Sequence, residues 1–305
     1  SDHAYGVSAS YEDSPDKFLQ SWQVGAEYQQ VGTYFHSMAN PDLPSDRRLY
    51  RLFNTLAWEA FSLSTDLVRE EDNVEDIELL PQVEVDLVQV NASWYPGHKT
   101  VLGEADYTLS ASHQRTRQPF TPVGQTRDSD SRNRLLALGA NFVADEFSWN
   151  IATGYGDQED YAGIQPNSKI NTLDWSAHWQ VGERLTLGPA IQYTRTRSPS
   201  DSFDGRDHNY SLNSQFEIMP GRLRGSLALG LNRSRLSDNS TDSKIQDVSA
   251  SLSWALKKPS SRVPGFDLVL SGSYQHVEDR FQPDLDAEQH QVFISLVSRL
   301  PLAGQ

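Results

Sequence analysis

The stretch Gln246–Leu256 reads QDVSASLSWAL. Val248, Ala250, Leu252, Trp254 and Leu256 alternate with Asp247, Ser249, Ser251, Ser253 and Ala255. Successive side chains of a strand point to opposite faces, so this segment has one apolar face and one of serine and acid. Such a strand separates either a protein core from solvent or lipid from a water-filled lumen. One strand does not choose between these environments, and its neighbours must.

The same period of two recurs from end to end. Tyr5, Val7, Ala9 and Tyr11 alternate with Gly6, Ser8 and Ser10, and Trp22, Val24, Ala26 and Tyr28 alternate with Gln23, Gly25, Glu27 and Gln29. Further on, Val88, Val90, Ala92 and Trp94 oppose Gln89, Asn91 and Ser93, and Leu173, Trp175, Ala177 and Trp179 oppose Asp174, Ser176, His178 and Gln180. Two segments, Arg48–Trp58 and Arg132–Ala144, are less regular but still strand-like. About fifteen such segments follow one another, and none carries a helical i, i+3, i+4 stripe.

Connection length then decides the environment. Short links are WEAF (58–61), YPGHKT (95–100), ADEF (144–147), VGER (181–184) and MPGR (219–222). Between them lie long polar links at 31–47, 69–82, 115–133, 156–169 and 195–208, with SDNSTDSK at 237–244. A sandwich has no reason to alternate this way. Short turns at one rim and long loops at the other are expected of a transmembrane antiparallel up-and-down β-barrel. The short rim is then periplasmic and the long, acidic rim extracellular. The stretch KKPSSRVPG (257–265) falls where a short-rim turn is due.

Composition agrees. The 305 residues suffice for one large all-β domain or two ordinary ones, and no domain boundary is visible. Hydrophobic residues make up 37% and mean hydropathy is -0.58, low for a chain that buries a large core. Seven Trp and twelve Tyr are not the composition of disorder. A barrel reconciles the two, because only alternate residues meet lipid and aromatics collect at the interfaces. No run of about 18 apolar residues exists, yet a spanning strand needs only about 9–11. The chain opens SDHAYGVSASY with no signal-peptide pattern, as a mature or trimmed product does. The absence of cysteine excludes disulfides and Cys-based metal or redox sites. A net charge of -15 and pI near 4.9 argue against nucleic acid and against a basic peripheral membrane binder.

Parity assigns the candidate site residues. Glu27, Asp66, Glu104, Asp106, Asp174, Glu217 and Asp247, with Arg224, are expected to line the lumen. An excess of acid there favours cations. Trp22, Tyr28, Trp58, Trp94, Tyr107, Trp149, Trp175, Trp179, Trp254 and Tyr274 fall on the apolar face, as membrane-interface anchors. The acidic runs 70–78 and 238–243 lack EF-hand spacing and read as solvated, so neither a metal nor a cofactor is expected. No HExxH, GxSxG or Gly-rich phosphate loop is present, and the chain is not expected to be an enzyme. His113, His208, His276 and His290, with Asp279 and Asp284, are the groups a rim-active hydrolase would need.

By its alternating strands and unequal rims, the chain resembles the general class of Gram-negative outer-membrane β-barrels over essentially its whole length. Its last strand, QVFISLVSRL (291–300), looks like the assembly signal of that class, but it continues as PLAGQ instead of ending in an aromatic residue. The size resembles the smaller porins and the C-terminal barrels of polysaccharide-export proteins. The resemblance implies an even number of strands, about 14–16, with both ends periplasmic. Counting back from the short turns starts the first segment outside the cell. Either one upstream strand is missing or that segment lies outside the barrel and the count is fourteen. The preferred expectation is that residues 1–305 form one barrel domain of about sixteen strands, with the C-terminal part of a longer chain as one way to account for the missing strand. The expected function is a channel or export conduit in the bacterial outer membrane. The alternatives are a structural barrel holding periplasmic or surface protein partners and the rim-active hydrolase. The expected surroundings are outer-membrane lipid and lipopolysaccharide.

Overall fold

The computed structural model describes residues 3–14, 19–34, 45–199, 203–238, 240–257 and 265–299. Their strands are β1 (Ala4–Asp13), β2 (Leu19–Val31), β3 (Arg47–Trp58), β4 (Phe61–Glu71), β5 (Gln82–Trp94), β6 (Lys99–Thr100), β7 (Gly103–Phe120) and β8 (Ser131–Val143). The second half adds β9 (Phe147–Asp160), β10 (Ser168–Val181), β11 (Leu185–Ser198), β12 (Phe203–Met219), β13 (Leu223–Leu236), β14 (Asp242–Lys257), β15 (Gly265–Asp279) and β16 (Ala287–Arg299). All belong to one antiparallel sheet in which each long strand pairs with the next, and the two-residue β6 folds back on β7. This is the up-and-down wall of a transmembrane β-barrel.

Register carries the two faces around the wall, because directly opposed residues of an antiparallel pair lie on the same side. One row runs Asp106, Asn141, Asn150, Ser176, Ala190, Ser211, Gly230, Asp247, Gln275, Gln289 from β7 to β16. One residue along, the opposite face reads Tyr107, Ala140, Ile151, Trp175, Ile191, Tyr210, Leu231. No soluble core stands behind either face. Among the described residues the buried apolar side chains are Val31, Leu49, Val74, Ala105, Phe142 and Ala177, while Leu52, Leu138, Leu173 and Ile294 are exposed. An apolar surface of that extent belongs against lipid.

In the short turns, Gly182 and Gly221 take φ of +67 and +63, which suits glycine in a tight hairpin. The long rim differs from the sequence expectation in one respect. The stretch 195–208, expected as a loop, is strand on both arms, since β11 runs to Ser198 and β12 begins at Phe203. Likewise β7 continues to Phe120, and at 18 residues far exceeds the length a bilayer requires. Above the membrane both faces of a hairpin meet water. Apolar alternation therefore disappears while the backbone ladder continues.

The two end strands, β1 and β16, run in the same direction, and among the described residues no ladder joins them. A direct pair between them would be parallel.

The assignment of faces has a direct test. The chain has no cysteine, so single substitutions report cleanly. Ser249→Cys and Ser251→Cys are expected to react with a membrane-impermeant thiol reagent in proteoliposomes, at least tenfold faster than Val248→Cys and Ala250→Cys. Equal rates at adjacent positions would mean that the strand does not divide water from lipid.

Candidate functional site: the polar face of the wall

The polar face has two electrostatic regimes. In the first, Arg51 on β3 reaches across both neighbours. Its Nη2 donates to Asp66 Oδ2 at 2.6 Å and its Nε to Asp66 Oδ1 at 2.9 Å, while Nη1 lies 4.0 Å from Glu27 Oε2. The guanidinium also sits 5.2 Å from the centre of the Phe53 ring. That ring fills the space over Gly25, where a Cβ would come within 2.2 Å of it. One cation thus holds two of the expected lumen acids, on a platform that only glycine leaves room for. Nearer the long rim, Arg47 Nη2 meets Glu70 Oε2 at 2.8 Å. The β2–β4 sector is therefore close to neutral.

The second regime covers the remaining strands. Asp106, Asp174 and Asp247 share the polar face by register, and among the described residues none has an ion-pair partner. Asp247 lies across Gly230, where a Cβ would meet its carboxylate at 2.3 Å, so the acid rests on bare backbone. Glu217 lies opposite Arg224 and accepts the Gly221 N–H near the short rim. Glu104 accepts the Tyr95 hydroxyl at 2.8 Å at the same rim. All eight expected lumen residues are on one face.

The opposite face holds all ten expected aromatics. Towards the short rim, Trp58 and Phe61 stand 5.3 Å apart, Trp94 and Tyr107 5.3 Å, and Phe142 and Trp149 4.3 Å, which makes a nearly continuous band from β3 to β9. Trp22 donates to Asn54 Oδ1 at 2.9 Å in the same band, and Trp179 and Trp254 continue it beyond β9. Towards the long rim, Tyr28 packs on Tyr50 at 5.1 Å, and Tyr274 contacts His290 at 5.0 Å. Trp175 alone sits between the two bands, opposite Ile151 and Ile191.

Two features escape parity. The acidic run at 70–78 is built on a buried Asn73, whose side chain accepts from Ile77 N and donates to the Ile77 and Leu80 carbonyls. Beside it, Asp46 accepts from Thr33 Oγ1 at 2.9 Å and Val74 N at 3.0 Å. The loop is folded, not merely solvated. Its neighbour Asp72 is partly buried, and that desolvation pushes its carboxyl above the usual range. The histidines His113, His208, His276 and His290 all project from the apolar-side face, where only His276 has a carboxylate nearby, Glu288 at 3.5 Å. Among the described residues no His, Cys, Asp or Glu group could hold a metal.

No family model and no curated protein matches the chain. Solved structures do. The copper transporter OprC is similar with a TM-score of 0.55 at 12% identity, over 97% of this chain and 56% of that one. The siderophore receptor PirA from Acinetobacter baumannii gives 0.44 at 9% identity, over 98% and 56%. An anion-selective porin from Comamonas acidovorans gives 0.37 at 9%, over 97% and 98%. The chain thus spans little more than half the length of the first two. Its architecture is that of the Gram-negative outer-membrane β-barrels.

Proposed function

We propose that the polar face lines an aqueous path through the outer membrane, with an acidic wall that favours cations. The observation that carries this reading is the row holding Asp106 and Asp247, which with Asp174 leaves three carboxylates without a compensating cation among the described residues. Fixed negative charge along a water-filled passage concentrates cations and repels anions. The role is passage, not turnover. The test is a planar-bilayer reversal potential for the full-length protein in a tenfold salt gradient. A potential of the sign given by cation permeation is expected; an anion-selective or non-conducting protein would overturn the proposal.

A further inference from the structure

The chain is strongly acidic overall, yet its cations are not spread evenly. At the long-rim end of β11–β14, on the face that lower down is apolar, the register sets basic residues directly against one another. Arg195, Arg206 and Arg235 form one row, and His208, Arg233 and Lys244 the next. Like charges directly opposed across a sheet destabilise it unless a counter-charge lies over them. The protein's own acids supply only part of that. Asp204 holds Arg195 and lies 3.6 Å from Arg206, and Asp242 lies 3.3 Å from Arg233. Arg235 and Lys244 make no ion pair within 4.0 Å among the described residues, although the register sets Arg235 opposite Asp242 and Lys244 opposite Glu278.

These side chains open into a groove of about 890 Å³, which Arg280 and Pro283 of the β15–β16 connection and Tyr210 and Leu231 also line. Of the four acids that line it, Glu278 lies opposite Lys244 and the other three are already engaged. Asp279 accepts the Phe281 and Gln282 amides, Asp286 accepts the Asp279 amide, and Asp242 faces Arg233. Arg206, Arg233, Arg235, Lys244 and Arg280 outnumber the four carboxylates of the lining, and the recess lies directly above an apolar band, outside the wall, on the extracellular side. A ligand that fits it carries clustered anionic groups over apolar chains and stands in the outer leaflet.

We infer that this groove binds the phosphorylated headgroup of an outer-leaflet glycolipid, with Arg206, Arg233, Arg235 and Lys244 taking the phosphates and the acyl chains lying on Tyr210 and Leu231. Guanidinium groups meet phosphate oxygens in paired, charge-assisted hydrogen bonds, which suits a cluster dominated by arginine. The inference rests on the apolar face meeting lipid, and it is independent of what the lumen conducts.

The test is native mass spectrometry of the protein in nanodiscs containing a diphosphorylated glycolipid, the same glycolipid after phosphatase treatment, or phosphatidylcholine, with inorganic phosphate as a separate arm. The first lipid is expected to remain bound at least tenfold more than the other two. The variant R206Q/R233Q/R235Q/K244Q is expected to lose that preference while keeping the heat-modifiable mobility of a folded barrel. If the quadruple variant fails to fold, R235Q and K244Q singly are expected to lower the preference about threefold each. Equal retention of both forms of the glycolipid, an unchanged preference in folded variants, or binding of inorganic phosphate alone would each overturn the assignment. Because the readout is bound lipid, its failure leaves the conductance proposal standing, and the reverse holds too.

Discussion

Replacing Asp106, Asp174 and Asp247 together by Asn is expected to abolish most of the cation preference, while replacing Arg51 by Gln is expected to increase it. The opposite signs follow from the two regimes of the polar face. The three aspartates have no cation beside them among the described residues, so in the proposed passage nothing on the polar face offsets them. An ion passing a carboxylate at about 8 Å in water gains about 0.5 kcal/mol, roughly a twofold preference at low salt, and screening at 0.1 M halves that energy. Three such groups amount to several-fold at low salt and much less near 1 M. Arg51 works the other way, because it neutralises Asp66 at 2.6 Å and Glu27 at 4.0 Å. Its removal exposes two more carboxylates to the path. The measurement is the permeability ratio from reversal potentials at low and high salt. The three groups of the pair network are between about a quarter and two fifths exposed, so R51Q is expected to cost only about 1 kcal/mol of stability, the upper range for exposed pairs. A fall in cation preference for R51Q would mean that the β2–β4 sector does not face the passage.

The division between these regimes was not legible in the sequence, although the faces were. Alternation placed Glu27 and Asp66 on the polar face correctly, because lipid on one side of each strand forces every second residue to be apolar. That Arg51 joins them depends on the β2–β3 and β3–β4 registers, which bring together residues 15 and more apart in the chain. Nothing local encodes that meeting, and Arg51 itself sits in one of the two irregular segments. The same limit explains the long rim. Arg195–Ser198 and Phe203–His208 read as a loop because each carries polar residues on both faces, yet their backbones pair without interruption. Once a strand leaves the bilayer the solvent no longer distinguishes its sides, and only the ladder shows that it is still a strand. The basic groove lies in that zone, so its arginines look like loop charges until register lines them up. Sequence pattern thus reports the membrane well and reports what lies above it poorly.

Gly103→Ala is expected to be the most damaging single methyl in the wall, and Gly97→Ala only a few residues away is expected to be mild. Both glycines have positive φ, +110 and +70. Around Gly97 a Cβ meets nothing within 4 Å, so the cost is that of the left-handed backbone alone, about 1 kcal/mol. At Gly103 the Cβ would lie 2.5 Å from the Val143 carbonyl oxygen and 2.7 Å from its carbon. Those atoms belong to the β7–β8 ladder and cannot turn aside as a side chain could. The chain is also fixed from the other side, where Thr100 Oγ1 donates to the Gly103 carbonyl at 2.7 Å and accepts from Leu102 N at 3.1 Å. Backbone strain and overpacking each cost about 1–3 kcal/mol, so together they give about 3–5 kcal/mol. At 1.4 kcal/mol per factor of ten, the ratio of folded to unfolded protein would fall by roughly two to three orders of magnitude. Urea titration of the two variants in lipid vesicles, followed by tryptophan fluorescence, measures the difference. Equal stability of the two would show that the start of β7 does not press on the end of β8, and would remove the physical reason for a glycine at 103.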